Sequence, residues 1–350
     1  MIEAPGAKEN SAKAGHLVRL FAALVCLLPT SCRAEEKSLF TFQQPHMGTL
    51  FTIRIYGEKR ESEMIKAAAD KAFERVAELN QICSDYLPES ELNNFAREPS
   101  GKPNQVSRDL FNVFQKAVQL SEATGGAFDP TAGPLIRLWR TTKKNGRLPP
   151  PKNLNSALFR TDYRHLDLNP IQRTITKRID GMLFDLGGIA KGYAADAAFL
   201  ILREAGYNQV LVAASGDIVV GDPPPGREGW TIGIETLDVS IAPEEMQTVT
   251  LKNQAISTSG DARQFIELDG VRYSHIVSTE TGLGLTERIA ATVIAPDATT
   301  TDSYATAVTL LGEKEGLKFI EGQKDIECRI VSLREGKEAI TTTSGFPLQQ

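Results

Sequence analysis

Apolar positions along this chain recur with two different periods, and the changes between them mark out its elements. From Thr49 to Tyr56 apolar and polar residues alternate, which predicts a strand with one buried face. From Ser62 to Ile82 the apolar residues Ile65, Ala69, Ala72, Phe73, Val76 and Leu79 follow helical spacing, with Ser62 as a candidate cap. Residues 35–46 read as a polar lead-in and Ser84 to Arg97 as a loop. Ser107 opens a second helix that runs to Thr124 and is stopped by Gly125-Gly126. A short helix is predicted over Pro130 to Arg140, because proline is tolerated in a first turn, and Lys143 to Leu154 reads as a basic, proline-rich surface loop.

Strands are expected near Ile171 to Ile175 and Met182 to Asp185. Lys191 to Glu204 reads as a helix that Gly206 ends, followed by an apolar strand over Gln209 to Ala214 and another at Ile218 to Val220. More strands are expected near Trp230 to Glu235, Gln247 to Lys252, Gln264 to Leu268, Tyr273 to Val277 and Ala290 to Ala295. Helices over Thr301 to Leu311 and Lys314 to Ile320 and a strand over Ile326 to Leu333 complete the pattern. Helices and strands interleave without a regular βαβ rhythm, so the fold class is α+β.

Composition adds limits. The 350 residues are 41% hydrophobic, enough for a substantial core and too many for a disordered chain. A net charge of −5 argues against nonspecific nucleic-acid binding, which needs a basic face. Residues 1–34 look like a leader: Lys8, Lys13 and Arg19 flank a short apolar run, Leu20 to Leu28, too short to span a bilayer. Leu28-Pro-Thr-Ser-Cys32 resembles a lipoprotein processing site, although Pro29 departs from the usual pattern; plain secretory cleavage after Ala34 is the rival. Lipid on Cys32 would anchor the chain to a membrane surface. The distant Cys83 and Cys328 read as separate buried thiols, and without a CxxC pair a zinc site is not expected.

Several segments carry candidate chemistry. Asp185 to Asp196 reads as a strand end, a glycine turn and a helix start with Lys191 at the turn, which would collect bare amides and a cation as a phosphate ester requires. It lacks the spacing of a Walker loop or a dinucleotide fingerprint, so a plain strand–turn–helix corner remains equally open. Asp302 and Thr306, four apart on a helix, present two oxygens on one side, as a hard cation such as Mg²⁺ requires or as a helix start uses. Ala214-Ser-Gly-Asp217 and Thr258-Ser-Gly-Asp261 form near duplicates, either ligand-facing strand ends or ordinary turns. His275 stands in a strand, as a packed residue or a base. Gly125 to Leu135 reads either as a rigid loop gripping a flat ring or as a connector.

Taken in order, these motifs resemble the ApbE-type FAD:protein FMN transferases. Met47-Gly-Thr-Leu-Phe51, Ser84 to Asn93 with Tyr86, Thr124 to Leu135, Asp185 to Asp196, Ala214 to Asp217, Ile256 to Asp261, Tyr273-Ser-His-Ile276, Thr281-Gly282 and Asp302 to Thr306 follow the family's sequence. The resemblance spans roughly residues 43 to 320. It implies mixed or antiparallel sheets with packed helices in two interlocked subdomains, a single flavin-transferase domain over 35–342 and a tail over 343–350. It implies FAD as substrate, Mg²⁺ as cofactor, AMP as leaving group, and a Ser or Thr of a membrane redox-complex subunit as acceptor. Met47, Tyr86, Ala127, Phe128, Asp129, Asp185, Lys191, His275 and Ile276 would hold FAD. Asp302, Thr306 and the carbonyl of Gly188 would bind the metal. His275, or less favourably Asp261, would be the base for the acceptor hydroxyl. An exported protein of the periplasm, tethered to the inner membrane, is the matching location. Where the family carries Asp-Pro, this chain has Ser278 and Thr279. A hydrolase splitting FAD to FMN and AMP, or a non-catalytic FAD carrier, are the rival readings.

Overall fold

Successive residues of one strand feed two different cores. Val210 and Val212 join Phe51, Ile53 and Ile55 beneath two helices, while Leu211 between them packs with Trp230, Ile232 and Val249 on the opposite face. Such alternation is expected of a strand covered on both sides.

The computed structural model describes residues 37–347 apart from 239, 241, 243, 244, 262, 263 and 335, so the expected leader with Cys32 and Ala34 lies outside the described residues. In chain order come β1 (Ser38–His46), β2 (Thr49–Gly57), α1 (Ser62–Cys83), α2 (Glu91–Arg97), β3 (Pro103–Gln105), α3 (Arg108–Ala123), α4 (Gly133–Asn145) and α5 (Pro151–Phe159). Next are β4 (Leu166–Asn169), β5 (Thr174–Lys177), α6 (Ala190–Glu204), β6 (Val210–Ala214), β7 (Asp217–Val220), β8 (Trp230–Gly233), β9 (Thr248–Leu251) and β10 (Gln254–Gly260). The last are β11 (Phe265–Leu268), β12 (Val271–Ser274), β13 (Ile289–Ala295), α7 (Ala298–Glu321), β14 (Glu327–Arg334) and β15 (Lys337–Thr342).

Eight strands form one sheet in the order β1-β2-β6-β7-β10-β13-β14-β15, and every neighbouring pair is antiparallel. Helices α1 and α6 cover one face over the Phe51–Ile53–Ile55 core, and the β8–β9 hairpin covers the other. A second core lies under α2, α3 and the small β3-β5-β4 sheet, and Met47, Ile82 and Tyr193 pack against both it and the first. This is the expected α+β fold with antiparallel sheets, its two halves interlocked; from Lys37 onward the chain forms one compact unit.

The differences from the sequence reading have physical causes. Residues 38–46 are a strand, in register with β2 from Ser38 opposite Gly57 to His46 opposite Thr49. As the outermost strand of the sheet β1 buries none of its residues fully, so it reads as polar. Ser62 is the first residue of α1 rather than its cap. Within the expected loop after α1, Ser90 caps the short α2 by accepting from Asn93 N at 3.1 Å. Helix α4 runs on to Asn145 and stops at Gly146, whose φ of 65° suits glycine, and Pro151 opens α5 inside the expected basic loop. Met182 to Asp185 joins no ladder, although Met182 and Phe184 are buried. The two expected C-terminal helices are present as α7, broken at Gly312 (φ 77°, ψ 174°). Part of the expected tail is packed: Phe346 is buried beside Trp230, and Thr343 N donates to the carbonyl of Cys328 at 2.9 Å.

Candidate active site in an acid-rich cleft

The two cores meet along a cleft of about 1090 Å³, and each wall is set by a local device. The β1–β2 hairpin turns through Met47 (φ 49°) and Gly48 (φ 73°), the paired positive angles a two-residue hairpin requires, and Met47 lines the cleft. Ser84 Oγ accepts from the amides of Tyr86 and Leu87 at 3.2 and 3.3 Å, while Asn93 Nδ2 donates to the carbonyls of Asp85 and Leu87 at 3.1 and 2.8 Å. That staple fixes Tyr86, 73% exposed, on the rim, where the Arg140 guanidinium stacks 4.0 Å from its ring centre. Arg140 is held in turn by Asp85 and, at 3.3 Å, by Asp185.

The loop after α3 begins with Gly125 and Gly126, both at positive φ. Asp129 closes it: Oδ1 accepts from the amide and hydroxyl of Thr131 at 2.7 Å each, and Oδ2 from Tyr163 N at 2.8 Å. Asp129 therefore shapes the loop that presents Ala127 and Phe128 to the cleft, and burial pushes its pKa up. Asp185 Oδ1 accepts from Gly187 N at 2.8 Å, making the corner that leads into α6. Burial and then the neighbouring Asp85 raise the pKa of Asp185.

Behind this corner lies the most tightly linked part of the site. Lys191 Nζ pairs with Asp217 and, at 3.3 Å, with Asp302 Oδ1; Asp302 Oδ2 accepts from Gly192 N at 2.9 Å. Helix α6 has no side-chain cap of its own, and Asp302 supplies one from α7. Burial and then the adjacent Asp217 push Asp302 up to about 7. Burial disfavours charge on Lys191, yet the two carboxylates outweigh it and hold its pKa above the usual lysine value. The near-duplicate segments meet here: a Cβ on Gly216 would lie 4.0 Å from the Thr258 carbonyl, and Ser215 to Asp217 and Thr258 to Gly260 line the cleft side by side.

The donors available to a cation are all oxygens. Gly188 lies directly against Thr306, since a Cβ there would stand 3.1 Å from Thr306 Oγ1. Asp302 and Thr306 follow one another by a helical turn, and two buried carboxylates around one ammonium leave surplus negative charge. This set fits Mg²⁺, which characteristically takes one or two carboxylates and completes its shell with substrate oxygens and water. Among the described residues no group of three or more His, Cys, Asp or Glu gathers that could hold an ion.

His275 lines the same cleft and is exposed. Its Nδ1 lies 3.2 Å from the Gln264 carbonyl, which can only accept, so Nδ1 carries a proton in this contact and Nε2 keeps its lone pair. Although the residue as a whole is exposed, desolvation of its ring against the cleft wall lowers its pKa and favours the neutral form. Asp261 differs from the expectation. It is 2% exposed, does not line the cleft and pairs with Arg272, whose Nη2 also donates to the Asp261 carbonyl at 2.9 Å. Its carboxylate is engaged by Arg272 outside the cleft lining, so His275 is the candidate base that the cleft presents. Every other candidate residue lines the cleft: Met47, Tyr86, Ala127, Phe128, Asp129, Asp185, Gly188, Lys191, His275, Ile276, Asp302 and Thr306. Ser278 Oγ accepts from the amides of Glu280 and Thr281 at 3.2 and 3.3 Å, and Thr279 Oγ1 donates to the Gly126 carbonyl at 2.8 Å. The local departure from Asp-Pro thus forms a closed turn tied to the cleft loop.

Arg140 has no signal in the sequence, and Asp217 is marked there only as the end of the Ala214–Asp217 turn, not as a partner of Lys191. Each is paired with a residue far along the chain, which local spacing does not reveal.

An antiparallel α+β scaffold with an acid-rich cleft, clustered oxygen donors and a histidine on its wall defines the class of protein. The ApbE family model matches residues 47–330, and the chain belongs to the ApbE family. It is 30% identical to a FAD:protein FMN transferase of Vibrio cholerae over 331 residues, covering 93% of this chain and 96% of that one. It is also 30% identical to a FAD:protein FMN transferase of Treponema pallidum, covering 85% and 86%. The solved flavin transferase ApbE from Vibrio cholerae superposes with a TM-score of 0.79 at 28% identity, covering 89% of this chain and 98% of that one. The apo form of the Pseudomonas stutzeri flavinyl transferase ApbE gives 0.78 at 26% identity, covering 89% and 97%.

Proposed function

We propose that this chain is a Mg²⁺-dependent transferase that moves FMN from FAD to a Ser or Thr hydroxyl of a partner protein and releases AMP. The observation that carries this reading is the Lys191–Asp302 contact at 3.3 Å, which joins the corner of α6 to the Asp302–Thr306 turn of α7 in the cleft that also holds His275. Family membership supports the flavin and the protein acceptor, since the relatives bear that name.

The chemistry follows from charge. A dinucleotide's diphosphate repels an incoming oxygen, and positioning with electrostatic stabilisation does most of the work of phosphoryl transfer. Mg²⁺ held by Asp302, Thr306 and the Gly188 carbonyl would supply neutralisation of that charge. His275 Nε2 accepts the acceptor hydroxyl's proton as its oxygen bonds to the FMN-side phosphorus. The bond from that phosphorus to the bridging oxygen breaks, and AMP leaves with the bridge oxygen. Tyr86, Phe128 and Met47 offer apolar surfaces for flat rings, and Lys191 keeps the two carboxylates in place.

The leader reading belongs to the same proposal: an exported protein, carried to the periplasm and tethered at the inner membrane through Cys32, would meet a membrane redox complex. Among the described residues no helix is long and apolar enough to cross a membrane. The test is incubation with FAD and Mg²⁺, with and without a co-expressed acceptor, followed by intact-mass analysis and AMP quantitation. An acceptor gaining one FMN, and no gain with Asp302→Ala, supports transfer. AMP release without any adduct would make the protein an FAD hydrolase. Tight FAD binding without AMP would make it a carrier.

A further inference from the structure

Of the cations on the cleft wall, two are already engaged. Arg140 is held by Asp85 and Asp185, and Lys191 by Asp217 and Asp302. Lys143 lines the same cleft, is exposed, and makes no hydrogen bond or ion pair with any described residue. Its own segment cannot supply a partner, because no carboxylate occurs between Thr131 and Thr161.

Helix α4 fixes where Lys143 stands. Ile136, Trp139, Arg140 and Lys143 follow helical spacing along one side, and all four line the cleft. Trp139 pins that side: Nε1 donates to the Ser274 carbonyl at 3.1 Å, and its ring meets Tyr273 edge-on at 5.6 Å. The helix is thereby fastened to the strand end that delivers His275, and Lys143 lies one turn beyond the fastening. The charged groups that bear on His275 are Lys143 from α4 and Lys191 from α6, and both disfavour its protonation.

We propose that Lys143 is a phosphate-binding residue, its ammonium taking a phosphate oxygen of the dinucleotide next to His275. This rests on the flavin-transferase reading. A cleft with surplus carboxylates repels a diphosphate, and a cation without a protein partner offers that anion a contact whose formation breaks no existing pair. The contact draws the bond to be broken toward the base. The same positive charge keeps the base free of its proton.

Fluorescence titration with riboflavin, FMN and FAD separates the outcomes, using the wild type, Lys143→Ala, Lys143→Arg and, as control, Lys144→Ala, whose residue lies outside the cleft lining. Loss of one charged contact predicts about tenfold weaker FAD binding for Lys143→Ala, unchanged riboflavin binding, and recovery in Lys143→Arg. NMR titration of the His275 ring adds a readout that misfolding would not mimic, with its midpoint moving to higher pH in Lys143→Ala. If the wild type binds FAD tightly and Lys143→Ala binds it equally well, this inference is overturned while the transferase reading stands. If the wild type has no preference for FAD over riboflavin, both fall.

Discussion

The amide of Gly192 donates to Asp302 Oδ2 at 2.9 Å, and no other residue type fits at 192. A Cβ there would lie 2.1 Å from the Ala298 carbonyl oxygen and 2.8 Å from Asp302 Cβ. Helices α6 and α7 touch backbone to backbone at this point, and the approach brings Asp302 within reach of Lys191. Gly192→Ala should destabilise the fold by about 3 kcal/mol, as overpacking against rigid backbone does, and should abolish Mg²⁺-dependent AMP release. Chemical denaturation and an AMP assay measure the two; a variant of wild-type stability would refute the packing account.

Lys191→Met leaves Asp217 and Asp302 facing each other, both almost fully buried. Removing one partner of such a cluster should cost about 3 kcal/mol or more. Mg²⁺ binding to the folded state should return part of that loss, so millimolar MgCl₂ should raise Tm more in Lys191→Met than in the wild type. Equal Tm shifts in thermal scans would count against a cation site beside these carboxylates.

His275→Ala should reduce FMN transfer by at least about a hundredfold, the usual scale of general-base loss, with FAD affinity changed little. The wild-type rate should fall as pH drops through the lowered pKa of His275, because protonation of Nε2 removes the base. That acid limb therefore lies below 6.5, the ordinary histidine value, and a rate–pH profile locates it. A limb above that value would reject the neutral-ring assignment.

Asp261→Asn should affect stability and spare chemistry. The Asp261 carboxylate pairs with Arg272, which also lies over the Phe265 ring at 3.7 Å. Weakening this buried pair should lower stability by about 1–3 kcal/mol while kcat at saturating FAD stays within about twofold of the wild type. Steady-state kinetics alongside denaturation distinguish this from a catalytic role.

Asp196→Ala probes the seat of α7. Asp196 on α6 accepts from the amides of Ala298 and Thr299 at 2.8 Å each, so one helix caps the next. Loss of this cap should cost about 1–2 kcal/mol, measurable by urea denaturation.

Local features were readable in the sequence wherever one segment decides them. The four-residue spacing of Asp302 and Thr306 needs only a helix, and the glycine corner before Lys191 needs only a turn. Pairings between remote segments were not readable. Asp261 sits in a Ser-Gly-Asp stretch resembling that of Asp217, and the two stretches do lie side by side. Asp217 meets Lys191 in the cleft, whereas Asp261 meets Arg272 outside its lining. Which way each carboxylate turns depends on the partner opposite, not on the residues around it. Strand β1 went unread because none of its residues is fully buried, while alternate residues of its neighbour β2 supply the apolar face of the pairing.

The break at Gly312 turns α7 back on itself. Its dihedral pair lies in a region essentially reserved for glycine, so the turns bearing Asp302 and Thr306 end their hydrogen-bond ladder there. The stretch beyond packs back on the first part: the Phe319 ring meets that of Tyr304 at 5.1 Å, and Ile320 shares one core with Ala305, Val308 and Ile330. A fold-back of this kind braces, from behind, the turn that carries Asp302 and Thr306.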